Sequence, residues 1–118
     1  MERRFRLRRS EDFKRLREGG VTVQNRYLLL SQMPNGLPYN RYGLITSMRL
    51  GGAVVRNRVR RLLREALRVL HPRLCTGYDI VLIARPPLVE QPFVDVQRIV
   101  RELFQQAKLV MVAESGDL

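Results

Sequence analysis

The sequence contains a single cysteine, Cys75, among its 118 residues. An intrachain disulfide is therefore excluded, and so are a disulfide-stapled fold and a cysteine-rich zinc site. This cysteine usage is typical of a reducing, intracellular compartment, and we expect a cytoplasmic protein. No apolar run approaches the roughly 20 residues of a membrane-spanning helix, so we expect no membrane partner. The first residues are rich in arginine rather than apolar, which predicts no secretory signal.

Groups suited to catalysis by the protein are also scarce. His71 is the only histidine, and it precedes a proline at a predicted helix end, where it is suited to interact with the helix dipole. The carboxylates are scattered without an obvious metal-binding pair, and the glycine-rich phosphate loop of nucleotide hydrolases is absent. We therefore predict no catalytic residues, no metal site and no cofactor bound by the protein's own side chains.

Acidic residues are few compared with basic ones. The 22 lysines and arginines outnumber the 11 acidic residues, which gives a net charge of +11, and 20 of the 22 are arginine. A general compositional bias could account for the preference for arginine over lysine, but it does not account for the net charge. The charge is also uneven, since residues 1–26 carry +5 and residues 49–73 carry +7, whereas residues 74–118 carry −2. Such a defined basic surface predicts a polyanionic partner, and arginine suits phosphates and bases.

The pattern of apolar residues predicts one domain over residues 1–118, with a basic arm at 1–9 and a tail at 110–118. One sheet with helices packed against it is the simplest arrangement. The predicted elements are a helix that is capped by Ser10 and ended by Gly19-Gly20, a strand from Val21 to Met33, a strand from Tyr42 to Met48 that pairs with it as an antiparallel hairpin, a helix from about Ala53 to Leu70, a buried strand over Ile80–Ala84 and a last helix from about Asp95 to Leu109. Residues 21–48 leave room for a further short strand.

The helix predicted over residues 53–70 has the most informative pattern. Its apolar residues fall on one side at helical spacing, while Asn57, Arg60, Arg61, Arg64 and Arg68 fall on the other. Like charges spaced by four residues repel each other by a few tenths of a kcal/mol per pair, and Glu65 is the only acid on this helix. A chain of phosphates would turn this repulsion into attraction. The alternative is a basic face that is merely solvated.

Three residues allow two interpretations each. Asn57 offers a donor and an acceptor, so it could contact a base edge or a metal-bound water, or it could simply bond the first turn of the helix. Phe13 lies among basic residues, which suits single-stranded nucleic acid, but its spacing equally suits a core position. Tyr27, in the predicted first strand, is either a stacking platform or a core residue.

The central segment resembles the signature of a known family. Arg56-Asn57-Arg58-Val59-Arg60-Arg61-Leu62-Leu63-Arg64-Glu65, preceded by Tyr42-Gly43-Leu44-Ile45, Ser47, Gly51 and Ala53-Val54, is similar to the hallmark of the bacterial ribonuclease P protein component. Further matches lie at Glu11-Asp12-Phe13 and from Tyr78 to Arg85, so the resemblance covers roughly residues 5–107.

The resemblance implies the protein subunit of a ribonucleoprotein endoribonuclease. Such a subunit binds a large catalytic RNA and the single-stranded 5′ leader of precursor tRNA, and it promotes 5′-end maturation of tRNA. The chemistry then belongs to the RNA and its Mg²⁺. The implied fold is an α/β (α+β) two-layer sandwich with one central mixed sheet, similar to one domain of a small-subunit ribosomal protein, with a left-handed βαβ crossover around the central helix.

The resemblance and the charge pattern together give a set of candidate site residues. The predicted RNA contacts are Arg56, Asn57, Arg58, Arg60, Arg61, Arg64, Arg68, Arg49, Arg8 and Arg9, and the predicted leader-cleft residues are Phe13, Arg17 and Tyr27. The sequence departs from the family where Met48 replaces a frequent lysine, Gly52 a frequent asparagine, and Arg17 and Ser31 frequent leader-facing aromatics. We therefore expect fewer stacking contacts and more arginine contacts with the leader.

Two other functions are compatible with the basic charge. One is a ribosomal or assembly protein that binds structured RNA. The other is a protein nuclease, which would have to depend on His71. Of the three, only a ribonuclease P subunit predicts improved cleavage of precursor tRNA at low Mg²⁺. We expect the free protein to be a monomer.

Overall fold

The computed structural model describes residues 2–111, so the predicted tail lies outside the described residues from position 112 onward. Its helices are α1 (Ser10–Gly19), α2 (Ala53–Leu70) and α3 (Phe93–Gln106), and its strands are β1 (Val21–Gln24), β2 (Leu28–Pro34), β3 (Arg41–Ile45) and β4 (Tyr78–Ala84). α2 has the predicted bounds, because its apolar side follows the helical period throughout and Pro72 prevents continuation. α3 begins two residues earlier than predicted and ends three residues sooner.

The four strands form one mixed sheet in the order β1-β2-β4-β3. β2 pairs antiparallel with β1 and with β4, whereas β3 pairs parallel with β4. α2 is therefore the crossover that joins two parallel neighbouring strands. The predicted α+β fold with a central mixed sheet is confirmed.

Two predictions about the strands are wrong. The strand expected from Val21 to Met33 is divided into β1 and β2, because the Asn25 side-chain oxygen accepts the backbone N–H groups of Tyr27 and Leu28 at 2.8 Å and forms a turn. The strand after Tyr42 does not form an antiparallel hairpin with the preceding one. β4 lies between them, because its continuous apolar run is buried on both faces and therefore takes a central position.

The sheet has helices on both faces. Ile80, Leu82 and Ala84 of β4 belong to the main core, which α2 and α3 cover. Val81 and Ile83 point to the opposite face, where they join a smaller cluster beneath α1. The sheet and the α2–α3 layer thus form the two-layer sandwich, and α1 lies across part of the other face.

The segment before α1 packs against the edge of the sheet. The Leu7 side chain is buried, and its backbone N–H donates to the carbonyl of Tyr42 at 2.7 Å. Arg6 and Tyr42 form a parallel bridge, so this segment covers part of the outer edge of β3. At the other end, Val110 pairs with Leu74, which shows that the predicted tail begins as ordered structure.

Tyr42 makes the stability of this fold dependent on pH. Burial raises the pKa of its hydroxyl to about 12, above the ordinary value of 10.0. Because the folded state holds this proton more tightly than the unfolded chain, the contribution is complete below pH 10 and is lost as the pH rises towards 12. We expect the free energy of unfolding in urea to fall over this interval. The fall should be smaller in Tyr42→Phe, and an identical pH profile in that variant would contradict this assignment.

Candidate RNA interface

α2 presents a basic face to solvent because its opposite face is fixed in the core. Its buried side chains are Val59, Leu63, Ala66, Leu67 and Leu70. Asn57, Arg61, Arg64 and Arg68 are exposed, and Arg60 is partly exposed. The predicted division of this helix into an apolar side and an arginine side is therefore present in the structure.

The arginines of α2 differ in how they are already engaged. Arg68 pairs with Glu65, with its Nε 3.1 and 3.2 Å from the two carboxylate oxygens. This hydrogen bond lowers the pKa of Glu65 and raises the pKa of Arg68. Arg58 donates to the carbonyl of Val89 at 3.1 Å and so connects α2 to the loop before α3. Arg56 is half-buried, and its Nε has no hydrogen-bond partner within the described part of the chain.

Arg60, Arg61 and Arg64 therefore carry the outward charge of α2. In residues 2–111, none of the three has a carboxylate oxygen within 4 Å of its guanidinium, by contrast with Arg68. Asn57 contributes in a way that neither earlier interpretation included, because its side-chain oxygen accepts from Arg60 at 2.8 Å. The amide thus orients a neighbouring guanidinium.

Phe13 lies on the other face of the sheet, and Gly43 makes its position possible. A Cβ atom at Gly43 would lie 2.6 Å from Cε1 and 2.7 Å from Cζ of the Phe13 ring, which is closer than side chains pack. Phe13 is half-buried against Leu7 and Leu16, so it serves partly as a core residue, and it also lines a cavity. Arg17 is exposed one helical turn further along α1.

The remaining predicted residues are more widely spread. Arg8 and Arg9 are exposed just before α1, and Arg49 is exposed before α2. Tyr27 is not part of a strand but of the turn between β1 and β2, where it packs against the main core beneath the Arg26 guanidinium, 5.2 Å from the ring centre. The structure therefore does not bring Tyr27 together with Phe13.

A buried ionic network holds α1 on the sheet, and the sequence interpretation missed it. Asp79, fully buried in β4, accepts from Arg41 Nε at 2.9 Å and from Arg41 Nη2 at 2.7 Å. Arg15 of α1 donates to the same carboxylate at 2.7 Å, and Asn35 donates at 3.0 Å. The hydrogen bond with Asp79 raises the pKa of Arg41. The sign of this network in the sequence is Asp79 itself, an acidic residue directly before the apolar run of β4.

A basic cavity of about 430 Å³ was also not predicted. Three arginines from separate segments line it, together with Ser47 and the apolar side chains of Leu29 and Ile83; the arginines are Arg26, Arg49 and Arg85. Arg85 is held in place by the backbone carbonyl of Asn25 at 3.1 Å. Since Arg26 and Arg85 are isolated charges in the sequence, only the fold reveals that they are neighbours.

The structure offers no metal centre in residues 2–111, because no three His, Cys, Asp or Glu side chains are grouped closely enough. His71 is engaged through Nδ1, which lies 2.7 Å from the Tyr42 hydroxyl. In the same described range, no helix is long and apolar enough to cross a membrane.

Comparison with known protein families shows to which family this chain belongs. The sequence model of the ribonuclease P family matches residues 1–108. The chain belongs to the ribonuclease P protein family. The ribonuclease P protein component of Roseiflexus sp. strain RS-1 is 44% identical over 117 residues, which are 98% of this chain and 96% of the relative. That of Caldanaerobacter subterraneus subsp. tengcongensis is 40% identical, with coverage of 92% and 93%.

Solved ribonuclease P proteins share the fold. The Staphylococcus aureus protein superimposes with a TM-score of 0.84 at 30% identity and covers 90% of this chain and 97% of its own. The Thermotoga maritima protein gives a TM-score of 0.80 at 30% identity, with coverage of 86% and 96%. The resemblance inferred from the motif is thus confirmed. The ribonuclease P protein acts with an RNA subunit in 5′ maturation of tRNA, as part of an endoribonuclease.

Two residues that depart from the expected family pattern, Ser31 and Met48, can be placed in this ribonuclease P protein. Ser31 is buried, and its hydroxyl lies 2.8 Å from that of Thr22 on the neighbouring strand. The position is therefore used to join β1 to β2. Met48, at the position where the resemblance led us to expect lysine, is 80% exposed beside Arg49. Neither side chain offers an aromatic ring or a positive charge to an RNA strand.

Proposed function

We propose that this ribonuclease P protein contacts the catalytic RNA through the exposed arginines of α2 and holds the 5′ leader of precursor tRNA on the α1 face of the sheet. The observation that carries the first part is the set of Arg60, Arg61 and Arg64, which project from a helix whose other face is buried. Guanidinium groups without acidic partners favour phosphates and release counterions on binding.

The leader assignment is supported by a different surface. Phe13 offers a half-buried aromatic ring for base stacking, and Arg17 follows it by four residues on the same side of α1. The cavity lined by Arg26, Arg49 and Arg85 continues the same face of the sheet, since Leu29 and Ile83 form part of its wall. A single strand on this face would meet apolar surface below and arginines at its sides.

We also propose that the protein supplies no catalytic group. The RNA and its Mg²⁺ would perform hydrolysis, and the protein would raise the affinity for substrate and lower the Mg²⁺ requirement. His71 is held between the Tyr42 hydroxyl and the Phe5 ring, 4.8 Å away, which suits a structural role. The proposed state of the free protein is a monomer, and its proposed compartment is the cytoplasm, where precursor tRNA is available.

The test is a precursor-tRNA cleavage assay at low Mg²⁺ with a bacterial ribonuclease P RNA. We expect correct 5′ maturation with protein and RNA together, and none with the protein alone. Arg61→Glu should lose most of the stimulation, because it places a negative charge against phosphates. Arg101→Glu makes the same change at an exposed position of α3 and should retain it.

Each alternative function gives a different result in this assay. Tight RNA binding without stimulation would favour a structural RNA-binding protein of the same fold. Cleavage by the protein alone, abolished in His71→Ala, would favour a protein nuclease and overturn the proposal.

A further inference from the structure

Two surfaces that the sequence presents separately meet at one cavity on the outer edge of β3. The cavity measures about 150 Å³. Phe13 and Gly43 line it from the α1 side of the sheet, and Arg60 and Arg64 line it from the α2 side. A strand of RNA that contacts both faces has to pass over an edge of the sheet, and this edge lies between the two predicted contact surfaces.

Positive charge converges on this cavity. Arg6 from the N-terminal segment lines it together with Arg60 and Arg64, and the lining residues in the described chain include no carboxylate. Burial and the neighbouring charges of Arg6 and Arg60 lower the pKa of Arg64, so the fold holds these guanidinium groups close enough to repel each other. An arrangement that is unfavourable in the free protein is typical of a site completed by an anion.

The backbone adds polar groups at the same place, among them the N–H donor of Leu44. The carbonyl of Tyr42 accepts from Leu7, so the polar backbone groups of Tyr42 point to the outer edge of β3. Leu44 lies two residues further along the same strand, and its backbone groups therefore point the same way. The N-terminal segment turns away after Leu7 to begin α1, and no strand in residues 2–111 pairs with this edge beyond Tyr42. Leu44 itself lines the cavity.

We propose that this cavity, here called the edge site, binds one phosphodiester group of an RNA strand that crosses from the α2 face to the α1 face of the sheet. Arg60 and Arg64 hold the phosphate, Arg6 closes the site from the N-terminal segment, and the adjacent base lies against Phe13. The inference rests on the proposed function, which places the catalytic RNA on the α2 face and the leader on the α1 face; the strand at the edge belongs to one of these two RNAs. It adds a discrete site and a path for the strand.

The first experiment measures phosphate binding by the free, full-length protein. Inorganic phosphate is titrated while thermal unfolding is followed, for the wild type and for Arg60→Gln, Arg64→Gln and Arg101→Gln. We expect phosphate to bind about tenfold more weakly to the first two variants, because each loses a charge-assisted hydrogen bond. Arg101→Gln makes the same change on α3 and should match the wild type.

The stability of the variants without phosphate separates binding from a purely structural role of these arginines. If Arg64 serves to bind phosphate, Arg64→Gln should be as stable as the wild type or more stable, because the substitution removes a repulsive charge. If Arg64 is only structural, the variant should be less stable. Equal phosphate affinity in all four proteins would overturn the edge site. So would a variant that is less stable without phosphate and gains as much from it as the wild type.

The second experiment identifies the source of the phosphate in the assembled enzyme. For the wild type, Arg60→Gln and Arg64→Gln, we measure the affinity of the protein for the catalytic RNA and the affinity of the holoenzyme for precursor and for mature tRNA. A loss of affinity in the variants that is confined to precursor tRNA assigns the phosphate to the leader. A loss of affinity for the catalytic RNA assigns the phosphate to that RNA. Unchanged affinity for all three overturns the site. Failure of the proposed function itself would appear separately, as absent stimulation of cleavage by the wild type.

Discussion

Replacing Asp79 with alanine is expected to lower the free energy of unfolding by about 3–5 kcal/mol. The carboxylate is fully buried and accepts hydrogen bonds from Arg15, Asn35 and Arg41. Its removal leaves the Arg41 guanidinium partly buried, and within residues 2–111 its remaining acidic neighbour is Asp12, 3.9 Å away. A loss of this size is a large fraction of the 5–15 kcal/mol that typically stabilises a domain. Urea unfolding at neutral pH measures it.

The matched control is Asp95→Ala on α3. Its carboxylate pairs with Arg98 at 3.5 Å, and both side chains are more than one third exposed. Exposed pairs of this kind contribute about 0–1 kcal/mol, so the control should unfold nearly as the wild type does. A loss below about 1 kcal/mol in Asp79→Ala would mean that water replaces the carboxylate and that the network does not hold α1 in place.

The second large effect is expected from Gly43→Ala. The new methyl group would overlap the Phe13 ring, with 2.6 Å to Cε1, so the ring has to leave its position on β3. Since stacking of a base on an aromatic ring contributes about 1–3 kcal/mol, we expect the holoenzyme's preference for precursor over mature tRNA to fall about tenfold. Overpacking should also lower the free energy of unfolding by about 1–3 kcal/mol.

Two further variants separate displacement of the ring from general damage. At Gly19 the nearest atom to an added Cβ is Met33 Cε at 4.0 Å, so Gly19→Ala should leave both quantities nearly unchanged. Phe13→Ala in the Gly43→Ala background removes the overlap, and the pair of substitutions should lower the preference for precursor no further than either substitution alone. If Gly43→Ala retains the full preference, Phe13 does not contact the leader.

The helices were predictable because their information is local. The apolar side of α2 repeats with the helical period over 18 residues, and Gly52 and Pro72 flank it. Strand pairing was not predictable in the same way. The apolar pattern of β3 fits an antiparallel hairpin as well as a parallel pair, and the choice depends on β4, which follows more than 30 residues later. Only the burial of β4 on both faces decides between them.

The candidate site was predictable to a similar extent, since its local features could be found and its long-range contacts could not. Charge and the motif were sufficient to locate the basic face of α2. They could not distinguish Arg61 from Arg58 or Arg68, because the partners that engage the latter two are a loop carbonyl and Glu65. Asp79 was not recognised because Arg15 and Arg41 lie 64 and 38 positions away. Contacts over such distances are properties of the fold rather than of any sequence segment.

The position of β4 in the sheet also has a consequence for folding during synthesis. β2 and β3 are complete by residue 45, but each bonds to β4, which ends at residue 84. A nascent chain that has emerged only as far as α2 therefore contains the β1–β2 hairpin and β3. It lacks β4, the strand that joins β2 to β3. The sheet can close only after residue 84 has been made, and the basic helix is exposed without its core until then. Such non-local closure is typical of slow-folding chains, and its timing is set by the ribosome.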